Sequence, residues 1–258
     1  MISPLAYIDP KAQIGNNVTI EAFAFIEGDV TIGDDTWIGP HAVLMNGTRI
    51  GKKCRVFPSA VIGAIPQDLK FAGEVTTAEI GDGTTIREFV TVNRGTSDRM
   101  KTVVGENCLL MSSVHIAHDC LVGNNVILAS SVMLAGHVTV DDWAILEGYV
   151  GIVQFIHVGA HSFIAAKCGS RKNVPPFIKA AREPLAYVGV NTLGMRRRGY
   201  SNETIQQVED IYRTLYLRGH NVSNAVAIIE KEHPESKERE LILEFIRNSK
   251  DGIIRGIS

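Results

Sequence analysis

The chain has few cysteines, and it lacks the cysteine pairs that typify structural zinc sites and redox centres. Only four occur in 258 residues, and no two of them form a Cys-x-x-Cys pair. A paired-cysteine metal motif is therefore excluded, and the pattern predicts reduced structural thiols of the kind found in cytosolic proteins. The four residues are Cys54, Cys108, Cys120 and Cys168.

Long apolar runs and a strong excess of one charge are also missing. No window approaches the roughly 18 uncharged apolar residues of a membrane-spanning helix. The N-terminal Met-Ile-Ser-Pro-Leu-Ala lacks a basic region followed by an apolar run. The net charge of -2 argues against a general nucleic-acid-binding protein. The sequence therefore predicts a soluble, cytoplasmic protein without an integral membrane segment.

A six-residue repeat dominates most of the chain. Positions taken every six residues from Ile8 to Ile164 are Ile, Leu or Val in 24 of 27 cases, which is about twice the frequency expected from composition. A typical hexad, Ile14-Gly-Asn-Asn-Val-Thr, passes from the aliphatic residue to a turn-prone pair. Gly, Asn and Asp tolerate the positive φ of a tight corner. Each hexad therefore predicts one short strand and one corner.

The repeat predicts a three-sided prism followed by a small helical domain. Three hexads make a triangular coil of about 18 residues, and stacked coils pair through their backbones at roughly 4.8 Å. The prism is expected to occupy residues 1–190, in about eight coils. After Asn-Val-Pro-Pro at residues 173–176, the apolar period changes to about 3.6 residues, so a helical domain is expected at residues 191–258.

Three helices are expected in the second domain. Ser201 caps the first, which ends at Gly219; the second covers residues 222–232, and Pro234 opens the third. Their apolar faces carry Ile205, Val208, Ile211, Tyr212, Leu215, Leu241, Leu243, Phe245 and Ile246. Because so small a helical unit buries little core by itself, the chain is expected to self-associate.

Two insertions interrupt the repeat without changing its phase. The first loop runs over residues 65–74 and the second over residues 96–101. The three positions that break the hexad pattern, Asp68, Glu74 and Asp98, all lie in them. A loop ejected from a stacked repeat costs packing, so both loops are candidate functional segments. The second loop has no evident role.

Three histidines lie close together in the repeat. His118 and His137 are separated by one coil plus one residue, so they should share an edge. They could provide a general base with a companion, a stacked ladder of corner residues, or a zinc site that includes His115. Asp119 adjoins His118, but neighbouring residues of a strand point to opposite sides. The corner at Gly136 could aim a backbone N–H at an oxyanion.

A basic segment, Met-Arg-Arg-Arg-Gly at residues 195–199, precedes the main helices. Arginine side chains suit a diphosphate or an acidic protein, although such runs are often simply solvated. Further cations extend the positive region along the end of the prism: Lys167, Arg171, Lys172, Lys179 and Arg182. An anionic partner is therefore plausible on this surface.

Six segments, in order along nearly the whole chain, carry a family resemblance. They are residues 65–74 with Pro-Gln-Asp-Leu-Lys, 86–96 with Asn-Arg-Gly-Thr, 115–120 with His-Ile-Ala-His-Asp-Cys, 134–142 with Leu-Ala-Gly-His, 159–161 with Gly-Ala-His, and 194–201 with Met-Arg-Arg-Arg-Gly. The chain resembles the UDP-N-acetylglucosamine O-acyltransferases that open lipid A biosynthesis. The resemblance implies a mostly β fold, a left-handed parallel β-helix with a small C-terminal helical domain. The hand does not follow from the period itself.

The resemblance also implies a reaction, the transfer of a 3-hydroxyacyl chain from acyl carrier protein to the 3-hydroxyl of UDP-N-acetylglucosamine. It implies no cofactor and no metal. By the matching motifs, His118 is the expected general base, Asp119 holds it, and the Gly136 N–H stabilises the oxyanion. Ala166 matches the residue that sets acyl length, and its small side chain favours a long chain. The expected substrate-binding residues are Asp68, Lys70, His137, Gln154, Asn191, Arg197 and Arg198.

These residues are expected to meet in a cleft between neighbouring subunits of a homotrimer, with acyl carrier protein on the positive surface. Three departures from the family pattern bear on substrate contacts rather than on the base. Val153 and Asn93 stand where many members have histidine, and Leu193 where an acidic residue is frequent.

Other enzymes that use the prism remain as alternatives. The N-acyltransferase of the same pathway has a uridine-recognition domain ahead of its hexads, for which a repeat beginning at Ile8 leaves no room. An acetyl-CoA-dependent acetyltransferase is not expected to carry the first loop. A trimeric zinc enzyme, with metal at His115, His118 and His137, and a non-enzymatic scaffold are the remaining alternatives.

Overall fold

The repeat folds into a three-sided prism of short parallel strands. The computed structural model describes residues 1–256. The strands of the first half are β1 (Tyr7–Ile8), β2 (Gln13–Ile14), β3 (Thr19–Ile20), β4 (Phe25–Ile26), β5 (Val30–Ile32), β6 (Trp37–Ile38), β7 (Val43–Leu44), β8 (Thr48–Ile50), β9 (Arg55–Val56), β10 (Val61–Ala64), β11 (Thr77–Ile80), β12 (Thr85–Ile86), β13 (Thr91–Asn93) and β14 (Lys101–Val104). The others are β15 (Leu109–Leu110), β16 (His115–Ile116), β17 (Leu121–Val122), β18 (Ile127–Leu128), β19 (Met133–Leu134), β20 (Thr139–Val140), β21 (Ile145–Leu146), β22 (Gly151–Ile152), β23 (His157–Val158), β24 (Phe163–Ile164), β25 (Gly169–Ser170), β26 (Ile178–Ala181), β27 (Ala186–Val190) and β28 (Arg255–Gly256).

Up to β25, every third strand belongs to the same face of the prism, and β26, β27 and β28 all extend face 3. Face 1 contains nine strands from β1 to β25, face 2 contains eight from β2 to β23, and face 3 contains eleven from β3 to β28. Strands within a face are parallel until β27, which runs antiparallel to β26. The chain therefore visits face 1, face 2 and face 3 in turn, and each circuit adds one coil.

The pairing register accounts for both insertions. An ordinary coil advances the chain by three hexads, as the pairing of Tyr7 with Phe25 shows. Across the first loop, Val61 pairs with Thr91, an advance of five hexads. Across the second loop, Thr91 pairs with His115, an advance of four hexads. Both loops thus replace whole hexads, and the stacking resumes in phase as the sequence predicts.

The core is a column of aliphatic side chains inside the prism. The hexad positions from Ile20 to Ile164 are buried, apart from the three loop residues that break the pattern. Stacked backbones leave little room beside this column: a Cβ added at Gly33 would lie 2.6 Å from the carbonyl carbon of Gly51. All four cysteines are free and buried, which confirms the prediction of structural thiols.

The corners differ from the expectation that Gly, Asn and Asp would supply the positive φ. Bulky residues adopt it as well, including Trp143 at 63°, Phe155 at 65° and His161 at 59°. Their side chains point outward and stack on corner residues of an adjacent coil; the Trp143 and His161 rings are nearly parallel, at 4°. Contacts between coils therefore offset the cost of the left-handed conformation.

Four helices complete the described chain: α1 (Thr192–Arg197), α2 (Asn202–Tyr216), α3 (Val222–Glu232) and α4 (Lys237–Asn248). Ser201 caps α2 and the bounds of α3 are as predicted. Ser236, rather than Pro234, begins α4, and Leu241 lies on its exposed side. The boundary between domains at residues 190 and 191 stays a prediction. Among residues 1–256, no helix is both long and apolar enough to cross a bilayer.

Helix α2 is anchored on the end of the prism. The Tyr212 hydroxyl donates to the Pro176 carbonyl at 2.6 Å, and the Tyr212 ring stacks at 5.6 Å on Tyr187 of β27. Helix α1 follows β27 almost directly, so the basic segment is held against the prism. The sequence did not predict α1, because so short a helix cannot show a helical period.

Replacing Ile62 with Ala is expected to lower the free energy of unfolding by about 2–5 kcal/mol. Ile62 is fully buried in the aliphatic column, and the change opens a cavity there. Ile65, nearby in the sequence, is 57% exposed, so Ile65→Ala is the matched control. Denaturant unfolding measures both, and equal losses would contradict the assignment of the core.

Candidate functional site

Both loops and two of the three histidines lie along one edge of the prism, where the chain turns from face 1 to face 2. We call this corner the loop edge. It contains the first loop (residues 65–74) after β10, the second loop, and the corners at 117–120 and 135–138. The structure bounds the second loop at residues 94–100, between β13 and β14, whereas the sequence placed it at 96–101. Because the coils stack in register, side chains from four successive coils meet here.

His118 and Asp119 form a hydrogen-bonded dyad. The His118 Nδ1 atom lies 2.8 Å from Asp119 Oδ2. The expectation that these neighbouring side chains diverge was wrong, because Asp119 is a corner residue with φ of 59° and not part of a strand. His118 is only 5% exposed, and its Nε2 lies 4.0 Å from Asp68 Oδ2 of the first loop.

The second loop surrounds the Asp119 carboxylate, which is fully buried. Oδ1 accepts hydrogen bonds from the Thr96 N–H at 3.0 Å and the Arg99 N–H at 3.2 Å, and Oδ2 accepts one from the Thr96 hydroxyl at 2.6 Å. Burial by itself would raise the pKa of Asp119, but the hydrogen bonds from Thr96 and His118 outweigh it and lower the pKa below the ordinary value. The carboxylate is therefore ionised at neutral pH.

His137 lies on the next coil and faces two carboxylates. Its Nε2 is 3.8 Å from Asp119 Oδ2, and its Nδ1 is 3.1 Å from Asp98 Oδ2 without the alignment of a hydrogen bond. The ring stacks on Phe155 at 4.6 Å but meets His118 edge-on, at 88°. The ladder interpretation therefore describes His137 and Phe155 but not His118.

Gly136 packs directly against the His118 imidazole. A Cβ at this position would lie 2.6 Å from His118 Cε1 and 2.7 Å from Nε2, so only glycine fits beside the ring. Within residues 1–256, the Gly136 N–H has no hydrogen-bond acceptor. The N–H is thus available to a ligand next to the dyad, as its predicted role requires.

The metal alternative has a different geometry from the one expected. His118, Asp119 and His137 bring ligand atoms within 4.8 Å of one another, whereas His115 is not part of this group. Instead, His115 Nδ1 lies 2.7 Å from the Thr91 hydroxyl. In the dyad, His118 Nδ1 and both Asp119 oxygens are already engaged in hydrogen bonds. Protein donors and acceptors thus satisfy these groups.

A cleft of about 1210 Å³ runs along face 1 from His115 to the end of the prism. Its walls are mainly apolar, and its far end is closed by residues 182–186 and 253–256. Burial is the main cause that lowers the pKa of His115, so its imidazole is neutral at physiological pH. The cleft is also lined by Gln154 and Val153. Val153 is one of the departures from the family pattern.

The C-terminal candidate residues lie on a different edge of the prism. Asn191 donates to the His161 carbonyl at 2.9 Å, and Arg198 donates to the Trp143 carbonyl at 2.9 Å with its guanidinium 5.3 Å from the Trp143 ring centre. Trp143 and His161 lie at corners that join face 2 to face 3. We call this edge of the prism the arginine edge. Burial, and to a smaller extent Arg198, lower the pKa of His161 to about 4, so that ring carries no competing charge.

The remaining predicted residues are Lys70 in the first loop, Arg197 in α1 and Ala166 at a corner of the prism. Lys70 is exposed in the first loop, and its N–H donates to Asp68 at 2.9 Å. Arg197 is exposed at the end of α1. Ala166 is exposed near the corner between face 3 and face 1, and it does not line the cleft of its own chain. Within one chain, the residues of the loop edge lie close together. The residues of the arginine edge lie apart from them, on another edge of the prism.

Sequence reasoning did not identify the second loop's contribution. Thr96 and Arg99 contact Asp119 directly, and Asp98 approaches His137. The break in the hexad pattern marked the segment, but its contacts reach across a whole coil of the prism and have no local signature.

Comparison with known proteins gives concordant results over the full chain. Residues 173–257 match the family model described as UDP N-acetylglucosamine O-acyltransferase, domain 2, and residues 29–64 and 101–136 match the bacterial transferase hexapeptide model. The acyl-[acyl-carrier-protein]–UDP-N-acetylglucosamine O-acyltransferase of Xanthomonas axonopodis pv. citri is 41% identical over 257 residues, covering 99% of this chain and 98% of the relative.

Solved structures agree in fold. The UDP-N-acetylglucosamine acyltransferase of Bacteroides fragilis superposes with a TM-score of 0.97 at 51% identity, covering 99% of this chain and 100% of that one. The Francisella novicida enzyme gives a TM-score of 0.96 at 37% identity, covering 99% and 94% of the two chains. Together with the hexapeptide match, these structures confirm the predicted left-handed parallel β-helix.

Replacing Asp119 with Asn is expected to lower the free energy of unfolding by about 1–3 kcal/mol at pH 7 and by less near pH 3. Because the folded-state pKa is depressed, the ionised carboxylate contributes stability above the unfolded pKa of about 3.9, and this is lost as the pH falls through the folded value. Urea unfolding of both proteins at the two pH values measures the difference. A loss that is equal at both would contradict the assignment.

Proposed function

The chain belongs to the family of UDP-N-acetylglucosamine O-acyltransferases, and from this premise we propose that His118 is the general base of its reaction. The protein transfers an acyl group from acyl carrier protein to UDP-N-acetylglucosamine, the first step of lipid A biosynthesis. We propose further that the acyl group is a 3-hydroxyacyl chain and that the acceptor is the 3-hydroxyl of the sugar.

The dyad geometry is the observation that carries the assignment of the base. With Asp119 ionised, His118 Nδ1 donates its proton to that carboxylate at 2.8 Å. The Nε2 lone pair is then free, and it faces the first loop at 4.0 Å from Asp68. A sugar hydroxyl placed between Asp68 and Nε2 would give its proton to the imidazole as the oxygen attacks the thioester carbonyl. His118 would later return the proton to the departing thiolate.

The oxyanion is assigned to the Gly136 N–H. The attacking hydroxyl converts the thioester carbonyl into a tetrahedral centre, and its negative oxygen needs a donor beside the base. Gly136 lies against the His118 ring and has no protein acceptor within residues 1–256. In this proposal His137 and Asp68 contact the sugar, with Lys70 and Gln154 at either side.

The acyl chain is assigned to the cleft along face 1. The cleft starts beside His115, on the same coil as the dyad, and its volume of about 1210 Å³ and apolar walls suit an extended hydrocarbon. Pro184 and Leu185 close its end. Because Ala166 does not line the cleft of its own chain, its role as the acyl-length ruler requires a groove completed by a neighbouring subunit. That role stays a proposal.

A homotrimer would complete the site. His118 lies on the loop edge and Arg198 on the arginine edge, so one chain does not place a phosphate between them. A second chain can bring its Asn191, Arg197 and Arg198 to the first chain's loop edge. Face 3 supports the association, because it presents a row of half-buried apolar side chains, Leu109, Ile127, Ile145 and Phe163, on successive coils.

Acyl carrier protein is assigned to the positive surface around the cleft, where the lining includes Arg171, Lys172, Arg182 and Arg255. Carrier protein is acidic, so these cations would attract it to this side of the prism.

His118→Ala is expected to lower kcat by about 10² to 10⁴ because the positioned base is lost. The assay uses UDP-N-acetylglucosamine with 3-hydroxyacyl carrier proteins of several chain lengths. His41→Ala, at a distant corner where the ring stacks on Phe23, is the control and should leave kcat unchanged. Near-normal turnover by folded His118→Ala would show that the mechanism is wrong.

Mixing two inactive variants tests the shared site. In trimers refolded from equal amounts of His118→Ala and Arg198→Ala chains, about a quarter of the sites should contain both intact groups, and activity should return. His118→Ala mixed with Asp119→Asn is the control, because both residues lie in one chain and no site is repaired. No recovery with the first pair, despite mixed trimers, would contradict an intersubunit site.

A further inference from the structure

The second loop is bound to the buried end of the dyad. Thr96 is almost wholly buried, and it uses both its N–H and its hydroxyl on the Asp119 carboxylate, at 3.0 and 2.6 Å. The Arg99 guanidinium donates to the Asp119 carbonyl at 2.7 Å. The loop lies one coil before His118 and is an insertion in the repeat, so these contacts are additional to coil stacking.

The Thr96 hydroxyl and the His118 ring share one oxygen. Both donate to Asp119 Oδ2, at 2.6 and 2.8 Å, while Oδ1 accepts only backbone N–H groups. The hydroxyl therefore fixes the rotation of the carboxylate about its Cβ–Cγ bond, and with it the position of the oxygen that orients His118. Apart from Thr96 and His118 itself, no group among residues 1–256 is hydrogen-bonded to Oδ2.

We propose that Thr96 is a positioning residue for the transfer reaction, acting through Asp119 to hold His118 in the tautomer with Nδ1–H. This inference rests on His118 being the general base. Thr96 does not reach the substrate in this scheme. Its effect falls on the fraction of time for which the Nε2 lone pair faces the sugar hydroxyl, and thus on kcat rather than on substrate binding.

The chain offers a control that separates positioning from stability. The Thr84 hydroxyl is equally buried and donates to the Gly105 carbonyl at 2.7 Å, on the corner between face 2 and face 3. Thr84→Val and Thr96→Val each remove one buried hydroxyl and keep the side-chain shape. The two variants should lose a similar free energy of unfolding. Only Thr96→Val should change how Asp119 orients His118.

Thr96→Val is expected to lower kcat by about 10-fold to 100-fold, as the loss of an outer hydrogen-bond partner does at metal-bound histidines, with KM for UDP-N-acetylglucosamine nearly unchanged. Thr96→Ser keeps the hydroxyl and should restore kcat. In ¹⁵N-histidine spectra, His118 should show a single Nδ1–H tautomer in the wild type and the serine variant, and a mixture in the valine variant. In a His118→Ala background, Thr96→Val should cause no further loss.

Equal kcat losses in Thr96→Val and Thr84→Val, or a serine variant as slow as the valine one, would overturn the proposal. If the valine variant does not fold, Thr96→Ala and Thr96→Ser supply the same comparison of hydroxyl absent and hydroxyl present. Normal turnover by His118→Ala would refute the proposed base itself. A slow His118→Ala together with a fully active Thr96→Val would refute only the role of Thr96.

Discussion

Each coil of the prism is hydrogen-bonded through its backbone to the coils before and after it. This stacking determines the register of the strands and the positions of the corners and loops. The ladder keeps the strands in register from coil to coil, so an insertion has to leave the prism as a loop. The pairings of Val61 with Thr91 and of Thr91 with His115 show that the register resumes after both loops. The interior between three faces is narrow and is filled mainly by aliphatic side chains. Chemistry is therefore confined to corners and to ejected loops.

The loop edge contains both corner residues and residues of the two ejected loops. Corner geometry places His118 and Asp119 side by side, which a straight strand would not allow, and the glycine at 136 lets the next coil approach the imidazole. The second loop then buries the Asp119 carboxylate and surrounds it with donors, which is why its pKa lies below the ordinary value despite burial. A buried charge is stable here because each of its oxygens is paired.

The distribution of candidate residues over two edges favours assembly. The proposed base, His118, and the first loop lie on one edge and Arg198 on another, where Trp143 holds its guanidinium in place. A site that used groups from both edges would therefore form between chains, as the proposed trimer requires. Ala166 likewise lies outside the cleft of its own chain.

The prism, its phase and its loops were predictable from the amino-acid order, because a six-residue period acts locally and each hexad repeats the same strand and corner. His118, Gly136 and the first loop were also candidates from the sequence, since they fall within motifs of consecutive residues, and the structure places them together. Two further contacts emerged only from the folded chain: Thr96 holds Asp119, and His115 lies in the cleft instead of a metal group. The pairing of Asp119 with His118 was implied by the family resemblance, whereas the alternation of side chains along a strand argued against it. The geometry of these contacts depends on corner φ values, on loop conformation and on the stacking of separate coils, which no local pattern specifies.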